Sequence, residues 1–235
     1  MYYDSSIIIL LPAMIFALYA QSQVKSAFNK YSKVRNMMNL TGSQAARRML
    51  DNNGLYDVQI FQTAGNLTDH YDPRNRTLHL SQTVCNVNSV AAVSVACHEV
   101  GHAIQHAQGY TPLNLRNSIV PVVNFASRLT WPMILIGVIL LGAGSYEAFY
   151  FGNLLFNLGV LGFVGVVLFH AVTLPVEFNA SKRAIKMMEE YNLVAEEDIH
   201  GSKKVLRAAA MTYVASLAVA VANLIRILAI RGRER

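Results

Sequence analysis

SVAAVSVACHEVGHAIQHAQ, residues 89–108, carries His98 and His102 one helical turn apart, with Glu99 beside the first. Its apolar frame predicts a buried helix, opened by Asn88 or Ser89 as N-cap and stopped by Gly109. On that helix the two imidazoles leave the same face, one above the other, so both can reach a single Zn²⁺ at about 2.0–2.1 Å. Glu99 is turned one residue around the axis. Its carboxylate then lies beside such a metal, within reach of a water on it, where a general base belongs. With 7 His and 8 Glu in 235 residues, chance placement yields H-E-x-x-H only about 0.7 % of the time, which favours the metal over a pair of surface histidines. Burying three polar groups in an apolar helix costs free energy unless something satisfies them, and a metal ion does so. Cys97 adjoins His98 but points about 100° away around the helix and is read as packing.

The rest of the chain says where this chemistry takes place. It is 53% hydrophobic and 14% charged, against roughly 25% charged residues in soluble domains, so a membrane protein is expected. Residues 5–24, 148–176 and 208–225 carry no Asp, Glu, Lys or Arg, and each meets or approaches the roughly 18–20 residues needed to cross hydrocarbon. The expected spans are 5–24, a hairpin of 129–146 and 150–174, and a fourth segment at 206–227 that either crosses or packs against the catalytic lobe. The stretch from Tyr2 lacks a basic n-region and a small-x-small cleavage site, so it reads as a retained anchor.

Charge placement orients these spans. Asp4 precedes the first, while Lys25, Lys30, Lys33 and Arg35 follow it, which puts residues 25–118 in the cytoplasm. Glu147 is the only charge in the link between the second and third spans, as expected on the outer side, and Lys182, Arg183 and Lys186 follow the third. Arg231, Arg233 and Arg235 run against the rule if the fourth segment crosses. The net charge of +6 implies no nucleic acid, because the basic residues flank apolar spans, where each favours anionic lipid by roughly 1 kcal/mol. A cytoplasmic Cys85 and Cys97 are not expected to form a disulfide.

Between the first span and the motif helix a small α+β lobe is expected. Thr41-Gly42-Ser43-Gln44 is a capping box, residues 45–50 continue that helix and Gly54 closes it. Residues 55–61 and 76–80 read as strands, separated by a turn-rich stretch at 65–73. The fold class is therefore a mainly α-helical multi-pass membrane protein with a small α+β zincin-like catalytic lobe at the membrane surface, all in one domain.

A zinc hydrolase needs a third protein ligand. His106 is two turns from His98, about 12 Å along the axis, and cannot share its ion. The distal histidine of the longer H-E-x-x-H-x-x-G-x-x-H pattern falls on Gln108, which cannot serve. His70 and His79 read as exposed or hydrogen-bonded histidines. His170 lies in an apolar span, where an ionisable side chain is a functional suspect. Glu177 is the best candidate, since the hairpin returns the chain to the same membrane face just before it. Ser181, one turn on, is placed to hydrogen-bond a ligand. The bland alternative is an interfacial acid paired with Lys182 or with lipid headgroups.

His98-Glu99-Val100-Gly101-His102 and Glu177-Phe178-Asn179-Ala180-Ser181, with Leu67-Thr68-Asp69-His70-Tyr71-Asp72-Pro73 before Leu78-His79-Leu80-Ser81, resemble the neutral zinc metallopeptidases of the YugP type over nearly the whole chain. More distantly, the plan is similar to the HtpX and CAAX prenyl proteases, with a membrane hairpin between H-E-x-x-H and E-x-x-x-D. The resemblance implies a gluzincin site in which His98, His102 and Glu177 bind one zinc and Glu99 is the base. Ser181 stands where that pattern ends in Asp, and a hydroxyl orients a ligand more weakly than a carboxylate. The implied reaction is peptide-bond hydrolysis on protein or peptide substrates, including membrane proteins. An extended substrate is expected to pair along residues 76–80 as an added strand. Tyr213, Arg207 and His170 are the candidates for the oxyanion partner of zinc. Two rival readings are an intramembrane protease, disfavoured by the polar lobe just upstream, and a metal-binding scaffold without turnover.

Overall fold

The computed structural model describes residues 5–233. The readings made at Tyr2, Asp4 and Arg235 lie outside them. The chain is 75% helical with a three-stranded sheet, and it divides into two compact units. One unit comprises Tyr19–Asn114 and Leu174–Thr212; the other holds the first helix up to Leu18, Leu115–Thr173 and the chain from Tyr213 on.

In the first unit, α1 (Leu10–Tyr31) contributes its C-terminal half. α2 (Gly42–Asn52) opens on the expected capping box: Thr41 accepts from the Gln44 backbone N–H, and the Gln44 side chain accepts from the Thr41 N–H. Gly54 follows its end at φ 72°, a left-handed conformation that glycine adopts without steric penalty. β1 (Gln59–Thr63), β2 (His70–Asp72) and β3 (Thr77–Ser81) form the sheet, in the order β1-β3-β2. β1 pairs parallel to β3, and β2 antiparallel to it.

Three features differ from the sequence expectation. The first strand starts at Gln59 rather than 55, because the Arg47 guanidinium takes the Leu55 and Val58 carbonyls at 2.8 and 2.6 Å and holds that stretch as a turn. β2 lies inside the stretch read as turn. It is three residues long, too short to show an alternating pattern, and is set by the turn after it, where Asp72 accepts from the Arg74 backbone N–H and from Asn75. β3 is the central strand. Both of its edges are already paired, so no substrate can add to residues 76–80, and the expected docking strand is corrected.

The core of this unit surrounds α4 (Val90–Ala107), reached through the short α3 (Gln82–Cys85). Ser89 caps α4 by accepting from Ala92 N–H, and Gly109 ends it at φ 63°. Val93, Ala96, Cys97, Val100 and Ile104 pack with Met49, Leu50, Leu78 and Leu80. Cys97 is thus a packing residue, and its burial pushes the thiol up to about 12. α6 (Tyr146–Glu190) adds Val176, Ala180, Ala184 and Met188, a fully buried stripe at four-residue spacing.

The second unit is built from α5 (Thr111–Leu141), the N-terminal part of α6 and the C-terminal part of α7 (Glu196–Arg233). Ile134, Phe156, Phe163 and Ile227 form its buried cluster. The link between α5 and α6 is residues 142–145, so Glu147 belongs to the first turn of α6, where its charge complements the helix dipole. Residues 150–174 and the segment carrying Glu177 are one continuous helix with Pro175 inside it. Four helices are long and apolar enough to cross a membrane, and only 11–22% of each apolar window is buried within the protein.

Candidate metal centre

α4 and α6 cross where both are smallest. A Cβ on Gly101 would stand 2.7 Å from the Ala180 carbonyl oxygen, so only glycine permits this approach. Glu177 sits one turn before Ala180 on α6 and is thereby brought onto the histidine face of α4. Its Oε2 lies 3.2 Å from His98 Nε2 and 3.5 Å from His102 Nε2. All three side chains are largely shielded from solvent, at 12%, 10% and 4% exposure.

The nitrogens that face away from Glu177 are each held by a hydrogen bond. Gln105, fully buried on α4, donates from Nε2 to the Val176 carbonyl at 2.8 Å and to Asn179 Oδ1 at 2.9 Å. A carbonyl can only accept, so the Gln105 oxygen faces His102 Nδ1, and at 3.0 Å that nitrogen must be the donor. His102 Nε2 points the other way, toward Glu177 Oε2. His98 Nδ1 is hydrogen-bonded to Ser181 Oγ at 3.1 Å, a hydroxyl able to donate or accept. Two imidazole nitrogens and a carboxylate oxygen converge, a donor set that suits a divalent cation.

The metal fits these residues. Tetrahedral coordination at about 2.05 Å places ligand atoms about 3.3 Å apart, against the observed 3.2 and 3.5 Å. Among the described residues, His98, His102 and Glu177 are the group able to hold a metal, with ligand atoms within 4.8 Å of one another. Glu177 therefore faces the histidines rather than Lys182. His170 is not in the group and lies edge-on to Phe169 in α6. His106 bonds the Tyr71 hydroxyl through Nδ1 at 2.9 Å. His70 and His79 stack on each other across β2 and β3, 4.7 Å between centroids. Arg207 lines a groove between α1 and α7, and Tyr213 belongs to the other compact unit.

The family of the chain follows from sequence comparison once this cluster is in view. Residues 6–232 match the family described as "Putative neutral zinc metallopeptidase". The chain belongs to that family. A protein of Bacillus subtilis (strain 168), named "Putative membrane protease YugP", is 45% identical over 230 residues, covering 97% of this chain and 98% of the relative. No solved structure matches. Family membership implies zinc, and His98, His102 and Glu177 are a group that could hold it.

Glu99 lies on α4 beside the cluster. Burial pushes its carboxyl up to about 7, with Glu177 and Asp69 adding to the rise and His98 and the Tyr71 backbone N–H opposing it. Asp69 in turn is raised by burial while accepting from the Ser81 backbone and hydroxyl at 2.7 and 3.0 Å, which ties β3 to the loop before β2. Reading the residues one by one missed Gln105 and Asn179. The available signal was Gln105 at three residues past His102, where a helix brings a side chain back under the ligand.

Proposed function

We propose that the protein is a zinc-dependent membrane endopeptidase in which His98, His102 and Glu177 hold one zinc ion and Glu99 is the general base. The observation that carries this reading is the convergence of His98 Nε2, His102 Nε2 and Glu177 Oε2, with both Nδ1 atoms engaged by Gln105 and Ser181. Zinc, when bound, acidifies a water molecule and polarises the scissile carbonyl. Glu99 takes the proton of the attacking water and delivers it to the leaving amine. A carboxyl whose surroundings raise its pKa toward neutrality suits both halves of that task. The Tyr71 backbone N–H lies against Glu99, so the outer edge of β2 is the strand on which an extended substrate backbone would meet the base.

The four apolar helices cross the membrane in this reading, because apolar windows with so little internal burial need hydrocarbon to cover them. The Bacillus subtilis relative named as a membrane protease supports the same placement. The basic residues after the first and third spans support a site at the cytoplasmic face. The resemblance to the HtpX and CAAX proteases and the gluzincin class belong to this proposal, with Ser181 in the place of the orienting carboxylate.

Two variants test it. Glu99→Gln should retain one zinc per chain and lose cleavage of a denatured protein substrate by at least about 100-fold. Glu177→Ala should lose the zinc, read by elemental analysis of the purified protein. Full activity in the first variant removes the enzyme assignment, and undiminished zinc in the second removes Glu177 as a ligand.

A further inference from the structure

A second candidate site lies on the face formed by α1 and the start of α7. The two helices run antiparallel there and come close because Gly201 has no side chain: a Cβ would stand 2.7 Å from the Tyr31 ring. Between them opens a groove of about 490 Å³, within the ~300–1,000 Å³ usual for small-ligand sites. Three cations line it, Lys30 from α1 and Lys204 and Arg207 from α7, together with the polar side chains of Gln23 and Ser26. No lining residue is acidic. Among the described residues none of the three cations is in an ion pair, and Lys30 rests over the Tyr31 ring, 5.5 Å from its centroid.

The groove falls where both helices change character. Residues 5–24 of the chain are uncharged and Lys25 and Lys30 follow them; residues 208–225 are uncharged and Lys203, Lys204 and Arg207 precede them. In both helices, then, the cations stand at the same junction between apolar and polar segments. Tyr19, on the apolar side of the groove, is of the type that settles at the headgroup level. A ligand filling this groove must carry negative charge at one end and tolerate apolar surface next to it.

We propose that the α1–α7 groove binds the phosphate of an anionic phospholipid headgroup, with Lys30, Lys204 and Arg207 around the phosphate and Gln23 and Ser26 hydrogen-bonding the headgroup. The proposal rests on the membrane placement given above. It assigns one specific lipid site, beyond general attraction of basic residues to an anionic surface.

The test uses the full chain, first in membranes and then in detergent. The protein should remain in the membrane through an alkaline wash; release into the supernatant would refute the membrane placement and this proposal with it. Native mass spectrometry of the detergent-solubilised protein, titrated with phosphatidylglycerol, phosphatidylcholine or inorganic phosphate, should show one tightly held phosphatidylglycerol per chain. The triple variant Lys30→Gln, Lys204→Gln, Arg207→Gln should weaken that affinity at least tenfold, a conservative fraction of the effect expected for three cations near an anionic lipid. Lys33→Gln, Arg48→Gln, Arg74→Gln removes the same charge elsewhere and should leave it unchanged. Lys204→Gln alone should give an intermediate loss and stands in if the triple variant does not fold. A membrane-resident protein that binds both lipids equally, keeps phosphatidylglycerol in the groove variants, or exchanges it for inorganic phosphate overturns the lipid site while leaving the protease reading intact.

Discussion

Gln105 carries more of the candidate site than its residue type announces. It closes a path from His102 Nδ1 through Asn179 to Arg183, whose guanidinium donates to Asn179 Oδ1 at 2.7 Å and to Gln108 at 2.6 Å. Partners behind a metal ligand fix its tautomer and orientation. Gln105→Leu should therefore lower zinc affinity about 10–100-fold, measured by competition with a chelator. An unchanged affinity would mean that His102 is oriented by packing alone. Glu99 offers a second check, on the metal-free protein. Its folded pKa of about 7 stands above its ordinary 4.5, so between those values the folded state holds a proton that the unfolded chain has released. The contribution of Glu99 to stability is then fully present below about pH 4.5, falls as pH rises toward 7, and levels off above, a loss of roughly 3 kcal/mol at most. Thermal melts of the apoprotein at pH 5 and 8 should show this slope, and Glu99→Gln should flatten it.

At the scale of elements, the crossing of α4 and α6 does the assembling. The motif residue between the histidines' turns, Gly101, matters through what it lacks. Gly101→Ala should push α6 away from α4, destabilise the protein by about 1–3 kcal/mol and reduce bound zinc, read by melting and metal content together. Retention of both would show that the helices yield without moving Glu177. Elements were unevenly legible in the sequence. The caps at Thr41 and Ser89 and the stops at Gly54 and Gly109 are local chemistry and appear where expected. β2 was not legible, since three residues carry no period, and the central position of β3 is a matter of pairing between segments.

For the whole molecule, metal removal and topology make the decisive measurements. Zinc bound at about 1,000 times its dissociation constant stabilises the folded chain by about 4 kcal/mol, so chelation should lower the melting temperature and zinc should restore it. Glu177→Ala should abolish that response. In the four-span reading, single cysteines placed at Arg74 and Asn192 should be labelled from the same side of the membrane, and one at Ser145 from the opposite side. Cys85 and Cys97 are both buried, which leaves a quiet background for that labelling. Labelling of all three from one side would overturn the hairpin.

The sequence by itself determined the histidine pair, the candidate base and the apolar segments, because helical periodicity and side-chain chemistry are local and follow from spacing alone. It also pointed to Glu177 and Ser181, through charge placement and resemblance rather than through contact. Only the tertiary structure decided that Glu177 Oε2 meets both imidazoles, that Gln105 bonds His102 Nδ1 and that β3 has no free edge. It also gathered Lys30, Lys204 and Arg207 into one groove. Each of these joins residues far apart in the chain, and distances of that kind are set by how helices and strands pack, which no local pattern encodes.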